Sequence, residues 1–69
     1  MYIIQEIQTE NNTTALLNPI TKADRNEADS AFHSILASAA ISKIDVHAVV
    51  ILDEHGNKID GKFYEHISE

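Results

Sequence analysis

The hydrophobic positions of this chain follow two periods, and the change from one to the other separates a single helix from the strands around it. In the stretch 24–41, DRNEADSAFHSILASAAI, the apolar residues Ala28, Ala31, Phe32, Ile35, Leu36 and Ala39 recur three and four apart. At about 100° per residue they form one stripe, with Asn26, Ser30, His33, Ser34 and Ala37 opposite, which is the pattern of an amphipathic helix. Asp24 followed by Glu27 predicts a capping box, and Asp24, Glu27 and Asp29 all lie at the positive end of the helix dipole. Thr21 with Asp24 is an alternative start. The alanines on the stripe let the helix lie close to a sheet, with Phe32 as its main anchor.

Elsewhere the period is two. Residues 2–9 read as a strand with Ile3, Gln5 and Ile7 on one side and Tyr2, Ile4 and Glu6 on the other. Glu10, Asn11 and Asn12 carry turn chemistry, because asparagine tolerates left-handed backbone angles, and 13–17 returns as a short second strand. Asn18 and Pro19 then break the ladder, and the chain crosses to the helix. Beyond the helix, 44–53 is the most strand-like stretch: Val46, Ala48, Val50 and Leu52 share one face, and His47, Val49 and Ile51 the other. A turn around Gly56 leads into a last strand, 58–67. A two- or four-residue loop pairs Ala48 with Phe63, His47 with Tyr64 and Leu52 with Ile59; a three-residue loop with a glycine bulge pairs Ile51 with Ile59 instead. The first register groups more apolar residues on one face and is preferred, with Val50 and Leu52 turned toward the helix. The expected fold is α+β: one domain over residues 1–69, in the order ββαββ, with a four-stranded antiparallel sheet and the helix packed on one face.

That arrangement leaves a surplus. One helix covers one face, yet the strands at 2–9 and 44–53 are apolar on both, where a solvent-facing antiparallel sheet normally alternates polar with apolar. A 69-residue chain without cysteine has a small core and no disulfide to supplement it. Two-fold association is the expected remedy, giving a homodimer through the sheet face away from the helix or along a strand edge. The candidate interface is Tyr2, Ile4, His47, Val49, Ile51 and Tyr64. The alternative is a monomer with scattered exposed apolar residues.

Composition narrows the function classes. Eleven acids against five bases give a net charge of −6, which disfavours nucleic acid and anionic membrane surfaces as partners. No apolar run approaches the roughly 20 residues of a membrane span, and the opening MYIIQEIQTE is acidic where a signal peptide is basic. The absence of cysteine fits a reducing compartment, so a soluble cytoplasmic protein is expected.

No cluster with catalytic, cofactor or metal chemistry emerges from the residue types. Of the four histidines, His33 falls on the outer helix face and His55 in a turn; only His47 and His66, near Asp45 and Tyr64, have a chance to converge, and no HxH or HExxH spacing is present. Gly56 and Gly61 stand alone rather than in a phosphate-cradling loop. The helix serines read as small spacers, not nucleophiles. Tyr2, Phe32, Phe63 and Tyr64 lack the basic flanks of an RNA-stacking sheet. Asn11 and Asn12 each begin an N-x-T sequon but read as turn residues. No enzyme, cofactor or metal protein is therefore expected.

The run DRNEADSAFHSILASAAIS, followed by DVHAVVILDEHGN and FYEHI and preceded by MYIIQEIQTE, resembles a family of small uncharacterised proteins associated with phage-derived regions of clostridial genomes. The resemblance spans nearly the whole chain. It implies an accessory role in a phage-like gene cluster and carries no catalytic residue or cofactor with it. Two functions follow as expectations: an interaction module acting by self-association and by binding an unidentified protein, or an acidic inhibitor or nucleic-acid mimic that occupies a basic partner. Clustering of Glu6, Glu10, Asp45, Asp53, Glu54, Asp60 and Glu65 on one surface favours the mimic, and dispersal favours the module.

Overall fold

A computed structural model describes residues 1–66 as one helix on an antiparallel sheet. The strands are β1 (Tyr2–Glu10), β2 (Thr13–Leu16), β3 (Ile20–Lys22), β4 (Val46–Asp53) and β5 (Lys58–Glu65), and the helix α1 is Arg25–Ile41. The order across the sheet is β2-β1-β4-β5, and β3 continues the β2 edge by pairing with the first half of β1. The α+β class and the ββαββ layout hold, with one strand more than the four expected. The expected end of the last strand at residue 67 lies outside the described residues.

The extra strand is β3. Asn18 and Pro19 were expected to send the chain across to the helix, but they interrupt the sheet edge without ending it: β2 pairs with Ile7 to Glu10, and β3 with Tyr2 to Ile4. Proline is tolerated there because an edge position needs no N–H for a further neighbour. Gln5 spans the interruption, its Nε2 donating to Leu17 O (2.6 Å) and Glu6 O (2.9 Å).

The two hairpins are closed by different turn chemistry. Asn11 and Asn12 both have positive φ, 53° and 63°, and form a two-residue loop between the paired Glu10 and Thr13. A loop of this kind, left-handed at both central positions, matches the right-handed twist of the strands it joins. In the second hairpin, Asp53 N–H donates to Asn57 O and Gly56 N–H to Asp53 O, with Gly56 at φ 85°. That is the three-residue loop with a glycine bulge. It pairs Leu52 with Lys58, but a further bulge then sets Ile51 opposite Asp60, and beyond it Ala48 meets Phe63 and His47 meets Tyr64. The observed register thus joins the two alternatives through an extra residue, Ile59, which packs against the core. The preferred pairing of Leu52 with Ile59 does not form.

Asp53 holds this turn with its carboxylate, which accepts from His55 N–H (2.8 Å), Asn57 N–H (2.8 Å) and Asn57 Nδ2 (3.1 Å). These bonds, those from Asn57 first, hold its pKa below the ordinary aspartate value. Because the folded value is the depressed one, the associated stability is present above the unfolded pKa and is lost as pH falls through the folded one. The Asp53 carboxyl resonance, followed by NMR against pH, should titrate below that of an unstructured aspartate. Asp53→Asn should flatten the corresponding acid limb of the stability curve.

Asp24 caps α1 by accepting from Glu27 N–H (3.3 Å), while Thr21 lies in β3 and takes no part. At the other end, Ser42 N–H donates to Ala39 O (3.3 Å) and the His66 ring lies 2.8 Å from the same oxygen. The buried stripe is Ala28, Phe32, Leu36 and Ala39. Phe32, Leu36 and Ala28 meet Ile4, Val49 and Ile51, which are fully buried, with Tyr2, Ile59 and Tyr64 partly buried at the margin.

The expected faces are therefore exchanged. Ile4, Val49 and Ile51, together with Tyr2, Tyr64 and His47, were assigned to an interface on the far side, yet they belong to the layer beneath the helix. The reason lies in β3. It and β4 both run antiparallel to β1, so they are parallel to each other and joined by the helix, and such a crossover is right-handed. Leu17 N–H donates to Glu6 O (3.0 Å), so the polar backbone groups of Glu6, and by alternation those of Ile4, point to the β2–β3 edge. For L-residues in a sheet of this strand order, that orientation and a right-handed crossover together place the even-numbered side chains of β1 under the helix.

Candidate functional site

With the helix on one side, no described residue covers the opposite face of the sheet. Cross-strand partners share a face, so the open side carries Ile3, Gln5, Ile7 and Thr9 from β1 and Val46, Ala48, Val50 and Leu52 from β4. Leu16 extends it on the β2 edge and Phe63 on β5, at 69% and 57% exposure. The two central strands put no charge on this face. Their one amide there, Gln5, is engaged with the carbonyls of Leu17 and Glu6. An antiparallel sheet meant for water carries polar residues at such positions.

Charge appears on this face at the β5 edge. Lys58 pairs with Leu52 and Glu65 with Val46, one at each end of the strand. A side chain added at Gly61 would meet Lys58 Cε at 2.7 Å and Val50 Cγ1 at 3.1 Å, so the lysine stem lies over the glycine on the open side. The sheet edges are guarded against strand addition: β5 alternates Lys58, Asp60 and Lys62 around a bulge, and the β2–β3 edge is two short pieces separated by Pro19. Of the two routes expected for association, the edge is obstructed and the face is open.

The acids do not gather. Glu6 lies under the helix side and Asp60 is paired with Ile51 on that side; Asp53 and Glu54 sit at the β4–β5 turn, Glu54 3.6 Å from the N-terminal amine. Glu10 and Asp45 are at the other end of the sheet, Asp45 accepting from Asn11 N–H (3.2 Å), and Glu65 is on the open-face rim. They are spread over both ends and both faces.

Sequence reasoning missed one constellation. His47, 3% exposed, hydrogen-bonds through Nε2 to Glu6 Oε2, and its Nδ1 lies 3.1 Å from Ser42 Oγ. Ser42 Oγ also accepts from Ile44 N–H (3.2 Å), and Gln8 Nε2 donates to the same Glu6 oxygen (3.3 Å). The cross-strand rule held the signal, since Gln8 is directly opposite His47 and Glu6 is its diagonal neighbour. Serine, histidine and carboxylate in a row invite comparison with a nucleophilic relay. A relay needs space at its hydroxyl for a reacting carbonyl and donors for the oxyanion; here the line runs along the sheet beneath the helix C-terminus, and no pocket opens among the described residues. What it accomplishes is satisfaction: no buried side-chain polar atom among the described residues lacks a partner. A hydroxyl can donate to or accept from the ring nitrogen it faces, so Ser42 partners Nδ1 whichever of the two carries the proton. His47→Ala is expected to cost about 2 kcal/mol in chemical denaturation, because it removes both ring hydrogen bonds and leaves a gap at a buried position. A double-mutant cycle with Glu6→Gln should show coupling of about 1 kcal/mol.

His66 does not join His47; it stacks on Tyr64 (ring centroids 6.3 Å apart) and bonds to Ala39 O. Among the described residues no three histidine, aspartate or glutamate side chains converge as a metal-binding group. No helix in the described part is long and apolar enough to cross a membrane.

The architecture defines a small two-layer α+β protein with one uncovered apolar sheet face. Comparison of the chain with protein-family models, curated proteins and solved structures found no match.

Proposed function

We propose that the protein is a non-enzymatic interaction module that works as a homodimer, with the open sheet face as its self-association surface. The observation that carries the reading is the uncharged apolar centre of that face, formed by Ile3, Ile7, Ala48, Val50 and Leu52. A second copy is the occupant that fits best, because its own face has the same uncharged apolar centre and carries one basic and one acidic residue on the β5 edge that can pair with their opposites. Eight residues of strand across a sheet four strands wide make a patch of roughly 500 Å² per copy, so two copies bury on the order of 1,000 Å², near the lower bound for a specific interface. Packing would follow the aligned sandwich arrangement, with sheets about 10 Å apart. The scatter of acids supports a module over a nucleic-acid mimic. The absence of cysteine suits a reducing, cytoplasmic setting, and an accessory role of the kind implied by the phage-region resemblance is compatible with a dimeric adaptor for another protein.

Sedimentation equilibrium tests the reading. Twice the chain mass is expected at concentrations of tens of micromolar, with reversible dissociation on dilution. A monomer mass unchanged up to about 100 μM contradicts it.

A further inference from the structure

The rim of the open face carries an asymmetry that the dimer can use, and we infer from it the direction of the two-fold axis: perpendicular to the strands, between the two sheets, so that β5 of one copy lies antiparallel over β5 of the other. This inference rests on the proposed self-association and adds its geometry and its source of specificity.

Four rows cross the open face. Lys58, Leu52, Ile3 and Thr21 form the first, and Gly61, Val50 and Gln5 the second. Phe63, Ala48, Ile7 and Leu16 form the third, and Glu65, Val46, Thr9 and Thr14 the fourth. An axis across the strands exchanges the first row with the fourth and the second with the third. Lys58 of each copy then lies over Glu65 of the other, and Phe63 of each over Gly61 of the other. The first pairing matches opposite charges twice. The second sets the most exposed aromatic ring over the one position on the face without a side chain. Lys58, whose stem covers Gly61 in the single chain, is displaced by the incoming ring toward the partner's carboxylate. Arranged along the strands instead, the axis would keep each row over itself, set Phe63 over Leu16, and leave Lys58 and Glu65 facing threonines. Only the perpendicular axis uses both rim charges and the glycine.

Charge reversal separates the arrangements. At low ionic strength, Lys58→Glu and Glu65→Lys should each weaken dimerisation about 10-fold or more by bringing like charges together twice, and the double variant should return to within about 3-fold of the parent. Circular dichroism of every variant checks that the fold is intact. Singles that dimerise like the parent, or a double no better than the worse single, overturn the perpendicular axis while leaving the open-face dimer standing. A parent chain that stays monomeric removes the dimer itself.

Discussion

Replacing Phe32 with alanine should cost about 3–5 kcal/mol, because it deletes the largest side chain on the buried helix stripe and the sheet cannot close over the gap. Phe32 is 3% exposed and belongs to the same cluster as Ile4, Val49 and Ile51, the fully buried residues of the two central strands. Its neighbours one turn away on the buried stripe are Ala28, too short to reach the gap, and Leu36, itself held in the same cluster. Net stability in a domain of this length is only a few kcal/mol, and the variant should be largely unfolded at room temperature. Urea titration followed by far-UV circular dichroism measures it. A loss below about 1 kcal/mol would mean that the core is not where Phe32 sits.

Two adjacent valines should respond in opposite ways. Val49 is fully buried beneath the helix, whereas Val50 is on the open face. Val49→Asp sets a carboxylate in the fully buried layer with Ile4, Ile51 and Phe32, beside Glu6 on one neighbouring strand and with only the exposed Lys62 on the other, and should cost about 4 kcal/mol, abolishing the fold at any protein concentration. Val50→Asp should leave a folded chain with native circular dichroism, because its carboxylate can reach water. It should nevertheless weaken the dimer on the order of 100-fold, since each interface then holds two charges in an apolar centre. The concentration dependence of Tm expected of a dimeric parent chain should vanish with it. If both variants unfold, the open face is part of the single-chain core; if Val50→Asp still dimerises like the parent, the apolar centre of the face is not the contact.

Much of the architecture was legible in the residue pattern. The 3.6-residue period at 24–41, the acid at Asp24 and the two-residue period of the β1 and β4 stretches are local signals, and each led to the element observed. Sorting the strand residues into two sets also succeeded: Tyr2, Ile4, His47, Val49, Ile51 and Tyr64 do share a face. The error was in which set the helix covers. The residue pattern was read with Val50 and Leu52 toward the helix, but the side a helix covers is decided by chain path and chirality. That argument required β3, three residues hidden behind Pro19 with no period long enough to show. The last hairpin shows the same division between local and distant causes, since Gly56 sets the register at the turn and packing of Ile59 resets it one residue on. The Glu6–His47–Ser42 line was beyond a reading by motif, because its members come from two strands and a helix end, and their order in the chain matches no familiar spacing.

The most direct test of an open-face dimer is an isotope-filtered NOE experiment on a mixed sample, in which copies with labelled methyl groups are combined with unlabelled copies. The account predicts intermolecular contacts to the methyls of Ile3, Ile7, Val50 and Leu52, and none to those of Ile4, Val49 and Ile51, which are shielded by their own helix. Intermolecular contacts confined to the second group, or to strand-edge residues alone, would contradict it.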